Sequence, residues 1–435
     1  MARMLLKNGR VFVGRPGAGY AEAVAIAGRR VIAAGGLKDV ENIASGFEVV
    51  DLAGGVAVPA FCDSHIHLLM YGQSLATVSL AGCRSPEEAA ARVAERAQLA
   101  RPGSWITGIG WAKEEFQDRG FPTRRPLDAV SPHNPVALFS RDYHSLWLNS
   151  SAIRTLGGLS EIGRLRPGEV LVGEDGEPTG VVLEGAALMA YKRIPEQSEV
   201  GKMSSLDAAF SRLYSLGVLS AHNMDSVGDM SLLSKMDKDG RLGVRTVAYI
   251  GRETLESFIK AGLRTDFGSD ANLRFGGLKL IKDGTLGSST ALMLDPYEGS
   301  GGTGIDLIEQ EEMAELIKRA NANGIGVAVH AIGDGANRQT LDAFSKSGVQ
   351  DRRLANRVEH VQLLSEEDLP RPAALGLLSS MQPVHLEGDI APAGLLWGER
   401  CRYAYAMKSL YRSGSPLVFG SDAPVADPNP LLGIY

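Results

Sequence analysis

The chain has 435 residues with 44% hydrophobic and 22% charged side chains, ample apolar material for a large core, so a disordered chain is not the expectation. A formal net charge of −6 gives no basic surplus for a polyanion, so no nucleic-acid partner is expected. Cys62, Cys83 and Cys401 contain no CxxC pair; they supply neither a disulfide framework nor a thiolate zinc site, and fit a reducing cytoplasm. The N-terminal run MARMLLKNGRVFVG is broken by Lys7 and Arg10, and no later window sustains the ~18 apolar residues of a membrane span. The expectation is a soluble, cytoplasmic protein with no membrane partner.

In chain order, residues 4–13, 22–33 and 48–58 are short β-rich runs parted by glycine-containing turns, which predict part of a small β-sandwich domain over 1–58 that carries no chemistry. From residue 56 onward, Val/Ile/Leu runs ending in polar residues alternate with amphipathic helical stretches such as 306–323. Eight such runs, at 57–62, 217–221, 244–250, 277–282, 325–329, 356–359, 377–381 and 416–420, predict an α/β fold, a distorted (β/α)8 TIM barrel over 59–435. Residues 68–216 are too many for one βα connection. With strand-like runs of their own at 104–110, 135–140 and 170–172 and glycine-rich turns at 173–180, they predict an α/β insertion after the first strand, over the barrel mouth.

Side chains alternate along a strand, and only one set faces the barrel axis. In PAFCDSHIHL, Phe61, Asp63, His65 and His67 share a face, so both histidines point inward at the C-terminal end, where barrel chemistry sits. His330 is in phase with Gly326 and Ala328, His360 ends the strand RVEH, and Asp422 is in phase with Val418 and Gly420. Lys279 lies between the outward Leu278 and Leu280, which aims its amine at four imidazoles and a carboxylate. A bare ammonium there would repel divalent cations and lack water; reaction with CO₂ to a carbamate would make it an anionic, bidentate ligand. Lys282 has the other parity and is expected on the outside or the rim.

These segments resemble the amidohydrolase superfamily, and within it the YtcJ-like metal-dependent branch that includes N-substituted formamide deformylases. The resemblance is carried by PAFCDSHIHL, GLKLIKDGTLGSSTA, VAVHAIGDGAN, RVEHVQ and FGSDAPV, and in the insert by GIGWAKEEF, PTRRPLDAVSPHNPVAL and HSLWLNSSAI. It implies that His65, His67, Asp422 and carbamylated Lys279 bind one metal, and His330, His360 and the same carbamate a second. Zn²⁺ is the first choice, since imidazole and carboxylate suit it and hydrolysis needs no redox change; other divalent metals stay open. The resemblance further implies a metal-bridging hydroxide as nucleophile, a small-molecule amide or N-formyl substrate, and Asp422 as the group that accepts the proton and passes it to the departing amine. His222, His385, Trp111, and Asp142 and His144 in the insert are substrate-side candidates without assigned chemistry.

Other readings stand beside these. A lone strand-end histidine such as His222 or His385 is more often a hydrogen-bonded structural residue, His133 between Ser-Pro and Asn-Pro reads as a surface turn, Trp111 serves equally well as the insert's own core, and Glu184 is a fallback acid. Ala60 and Cys62 depart from the family pattern ahead of the ligands with little expected effect. The chain stops thirteen residues after Asp422, so the C-terminal part of the family fold, an eighth helix and returning strands, is expected to be missing, leaving open edges; either the sequence is a fragment, or another chain, as in a homo-oligomer, covers the gap. The competing functions are deamination of a cyclic amidine or aminopurine, and a truncated, non-catalytic binding protein.

Overall fold

All eight barrel runs form strands: β1 (Phe61–Ile66), β2 (Val218–Asn223), β3 (Arg245–Ile250), β4 (Leu273–Ile281), β5 (Val327–Ala331), β6 (Arg357–His360), β7 (Leu378–Met381) and β8 (Leu417–Phe419). The structure is a computed structural model that describes residues 2–435 apart from 15–18, 29, 114, 118–119, 141–144, 166–168, 174, 226, 267, 269–271, 288, 300 and 349–351. The strands lie in one sheet in sequential order, every neighbouring pair parallel. Outward residues Leu278, Leu280, Val327, Val329 and Val358 pack with Met313, Ile317, Leu341 and Phe344 of the helices Gln310–Ala322 and Asp334–Ser347, which is the burial of both faces that a parallel sheet requires.

The seam between β8 and β1 is closed by hydrogen bonds from the segment just after β8. Asp63 accepts from Ser421 N at 3.0 Å and Ser421 Oγ at 2.6 Å, His65 O accepts from Asp422 N at 2.7 Å, and Ala423 O accepts from His67 N at 3.0 Å. Gly420 permits this approach: a Cβ there would lie 2.4 Å from His65 N, nearer than atoms can sit. The fold is therefore a distorted, nearly closed (β/α)8-like barrel, and its closure seam is also the place where Asp422 meets the two histidines of the first strand.

Three further sheets accompany the barrel. Near the N-terminus a four-stranded sheet (strand order 30–35, 23–27, 3–7, 48–51) faces a three-stranded one (20–21, 10–12, 56–57). Leu6, Val24 and Ile26 pack between them against Val11, Ala21 and Ala57, while Leu5, Ala23 and Ala25 on the other face bury Val40 of the helix Leu37–Ile43. After β1 comes a mixed six-stranded sheet spanning Val78–Ser79 to Pro178–Leu183. The helices Leu68–Ser74 and Glu199–Ser215 that bracket it pack through Leu69, Leu206, Phe210 and Leu213 against Ile66 and Val218 of the barrel, so both ends of the 68–216 segment belong to the barrel wall. Among the described residues no helix is long and apolar enough to cross a membrane.

Lys282 departs from its expected position. It is 0% exposed, with Nζ 2.6 Å from Asp306 Oδ1 and 2.7 Å from Ile308 O. A buried ammonium needs such partners, and they come from a segment 24 residues downstream that folds back over the end of β4.

Candidate metal centre

β1 delivers His65, and His67 follows as the chain turns into the helix Leu68–Ser74. The first N–H groups of a helix have no partner inside it; here Leu68 N donates to Asn223 Oδ1 (2.9 Å) and Leu69 N to Asp225 Oδ2 (2.8 Å). The other oxygen of Asp225 meets His67 Nδ1 at 3.2 Å, so one carboxylate orients both helix and ring. His65 Nδ1 lies 2.6 Å from Glu359 Oε2. Both imidazoles thus present Nε2, each 3.4 Å from Asp422 Oδ1.

His330 at the end of β5 has Nε2 3.1 Å from Gly284 O, leaving Nδ1. Its ring centroid is 4.3 Å from that of His360, which is 4.9 Å from that of His65. The inward position of His360 arises differently from the parity expectation. With Val358 packed outside, the inward residues of β6 are Arg357 and Glu359. His360 reaches the axis because its backbone turns to φ +72°, and Gln382 Oε1 holds its Nδ1 at 2.7 Å. Asp422 also has positive φ, +58°, a conformation Asp tolerates better than most residues.

Lys279 lies between Leu278 and Leu280, which pack outside, and is within electrostatic reach of Asp422, Glu359, His65 and His330. Its Nζ is buried without a hydrogen-bond partner among the described residues, and burial pushes the amine down to about 8. Burial, then the Lys279 charge, pushes His65 and His330 down to about 4. Burial and the charge of His330 hold His360 well below the usual imidazole value. At His67 burial acts the same way, but Asp225 and Asp422 outweigh it and raise the ring to about 9. Asp422 is held well below the carboxylate range, since His67, His65 and His360 outweigh its burial.

Such a donor set fits a divalent cation. His65, His360 and Asp422 bring one ligand atom each within 4.8 Å of one another. Each of the four imidazoles has one nitrogen held by a protein acceptor, which leaves the other free, the arrangement that metal-ligating histidines use. Lys279 Nζ is one of the buried polar atoms here without a hydrogen-bond partner among the described residues, with Gln382 Nε2 and Ser64 Oγ, and burying an unpartnered amine costs free energy.

The remaining candidates sit elsewhere or do other work. His222 is inside the barrel, its Nδ1 3.0 Å from Arg357 Nη1 and 3.4 Å from Tyr249 OH. His385 Nε2 is 3.1 Å from Ser421 O, beside Asp422. Trp111 is 1% exposed, donates Nε1 to Leu138 O and stacks on Phe116; it fills the insert's core and has no surface to offer a substrate. His133 and Glu184 are exposed. Asp142 and His144 lie outside the described residues. Glu359, Arg357, Asp225 and Gln382 are functional neighbours that motif reading passes over, although the alternation around Val358 already aims Arg357 and Glu359 at the axis.

An amidohydrolase family model matches residues 48–435. A putative amidohydrolase, YtcJ, of Bacillus subtilis (strain 168) is 30% identical over 89% of this chain and 74% of its own length. Protein LONG AFTER FAR-RED 3 of Arabidopsis thaliana is 30% identical over 100% and 77%, and the N-substituted formamide deformylase of Arthrobacter pascens is 26% identical over 82% and 68%. The crystal structure of an uncharacterised metal-dependent hydrolase from Pyrococcus furiosus superposes with a TM-score of 0.82 at 32% identity, covering 100% of this chain and 88% of that one. With barrel, histidine cluster and relatives in agreement, the chain belongs to the amidohydrolase family, as a YtcJ-like metal-dependent hydrolase.

Proposed function

We propose that this hydrolase of carbon–nitrogen bonds acts on a non-peptide amide or N-formyl bond of a small molecule, with zinc as its metal. The observation that carries the reading is the gathering of His65, His360 and Asp422, one ligand atom each within 4.8 Å of one another, with His67 beside Asp422 and His330 beside His360, and with the unpartnered Nζ of Lys279 buried within electrostatic reach. His65, His67 and Asp422 would hold one ion and His330 and His360 a second, with Lys279 as a carbamate shared between them. Bound divalent metal supplies Lewis acidity, which ionises water at neutral pH and polarises a carbonyl. Asp422 takes up the proton released on attack and delivers it to the leaving nitrogen; its oxygen, already beside His65 and His67, is anionic and so free to accept one. Asp225 and Glu359 keep the two imidazoles in register while this happens. The N-formyl preference is supported by the likeness to the deformylase.

The test is a panel of N-formyl amines, simple amides, cyclic amidines and aminopurines offered to metal-free and zinc-reloaded protein. Amine release from the N-formyl or amide members, by the reloaded protein alone, is the expected result. Ammonia release confined to the amidines or aminopurines would replace this reading with deamination.

A further inference from the structure

Beneath the cluster lies a buried ion pair that the family motifs leave without a role. Arg357 is 2% exposed and Glu359 0%. Arg357 Nε donates to Glu359 Oε1 at 2.5 Å, and Nη2 donates to Glu359 Oε2 (3.1 Å), Ser64 O (2.6 Å) and Ser380 Oγ (2.7 Å). Nη1 lies 3.0 Å from His222 Nδ1 and 3.5 Å from Tyr249 OH. One guanidinium thus engages β1, β2, β3 and β7 as well as its own strand, with every nitrogen occupied.

The chemistry of these partners dictates two proton positions. A guanidinium can only donate, so His222 Nδ1 must offer it a lone pair, and the ring proton of His222 is on Nε2. An ionised carboxylate can only accept, and Arg357 keeps Glu359 ionised, so His65 must carry its proton on Nδ1. The two rings stand on adjacent strands, with Ala221 paired to Asp63 and Asn223 to Ile66, yet they receive opposite tautomers from the two ends of one ion pair. Among the described residues no protein group takes the Nε2–H of His222. Burial and the Arg357 charge also push that ring down to about 3, which agrees with a neutral donor.

We infer that the Arg357–Glu359 pair sorts two imidazoles into opposite roles: His65 presents a lone pair at Nε2 to a cation, and His222 presents an N–H at Nε2 to an acceptor, the carbonyl oxygen of the substrate. Arg357 and Glu359 are then positioning residues, and His222 is a substrate-side donor and not a ligand. The roles assigned to cation and substrate rest on the proposed function; the tautomers do not.

The experiment is a long-range ¹H–¹⁵N spectrum of the full-length, metal-free protein labelled at histidine, with signals assigned through His65→Gln and His222→Gln. His222 is expected as the Nε2–H tautomer and His65 as Nδ1–H; a reversal at either ring overturns the sorting. Zinc affinity read by chelator competition gives a second arm. Glu359→Gln is expected to weaken zinc binding by about 10–100-fold, while His222→Gln stays within about twofold of wild type on the same scale. Undiminished affinity in Glu359→Gln, or an equal loss in His222→Gln, also overturns it. A wild-type chain that takes up no zinc contradicts the proposed function instead, and the spectrum then decides the sorting by itself.

Discussion

Asp422→Asn is expected to lower kcat/KM by about 10³-fold or more on whichever amide the wild type hydrolyses, with the fold intact. The carboxylate oxygen 3.4 Å from both His65 Nε2 and His67 Nε2 is the anionic member of the cluster and the proton acceptor of the proposed reaction. An amide in its place carries no charge and cannot relay a proton. The backbone is spared, because Asn also tolerates the positive φ of this position and the Asp422 N to His65 O bond belongs to the main chain. Rate, metal content and thermal transition measured on one preparation separate the explanations. A variant retaining more than about a tenth of wild-type kcat/KM would remove Asp422 from the proton-transfer role.

The second large effect is on stability. Arg357→Met is expected to cost about 3–5 kcal/mol in the metal-free protein, the scale seen when one member of a buried pair is removed. Methionine fills the space of the straight stem, but it leaves Glu359 charged and 0% exposed and takes the donors away from Ser64 O and Ser380 Oγ. Glu359→Leu added to Arg357→Met should recover most of that loss, since apolar replacement of a whole buried pair is often neutral. The double variant should still bind zinc poorly, because His65 Nδ1 has lost its acceptor. Denaturant unfolding of the two variants beside wild type gives the comparison; equal stability of Arg357→Met and wild type would contradict the account of this pair.

Much of this architecture was legible in the sequence because it depends on alternation. Leu278 and Leu280 flanking Lys279, and Val327 and Val329 below His330, define inside and outside within a few residues, and the structure places them so. What stayed hidden depends on partners far away in the chain. His65 meets Glu359 across 294 residues, and the Lys282 ammonium is buried by a segment that no local pattern connects to it. His360 is the instructive case: the expectation reached the right face by the wrong route, because strand phase gives that face to Arg357 and Glu359, and a left-handed turn at His360 overrides phase at the strand end. Trp111 looked equally suited to a pocket and to a core, and only the packing of Phe116 and Trp147 around it decides.

The metal content of the purified 435-residue chain, determined by elemental analysis beside a Lys279→Ala variant, decides whether this is a two-metal hydrolase. About two equivalents of zinc are expected in the wild type, with a clear fall once Lys279 is removed. Less than about one equivalent, unchanged by the substitution, would contradict a two-metal hydrolase.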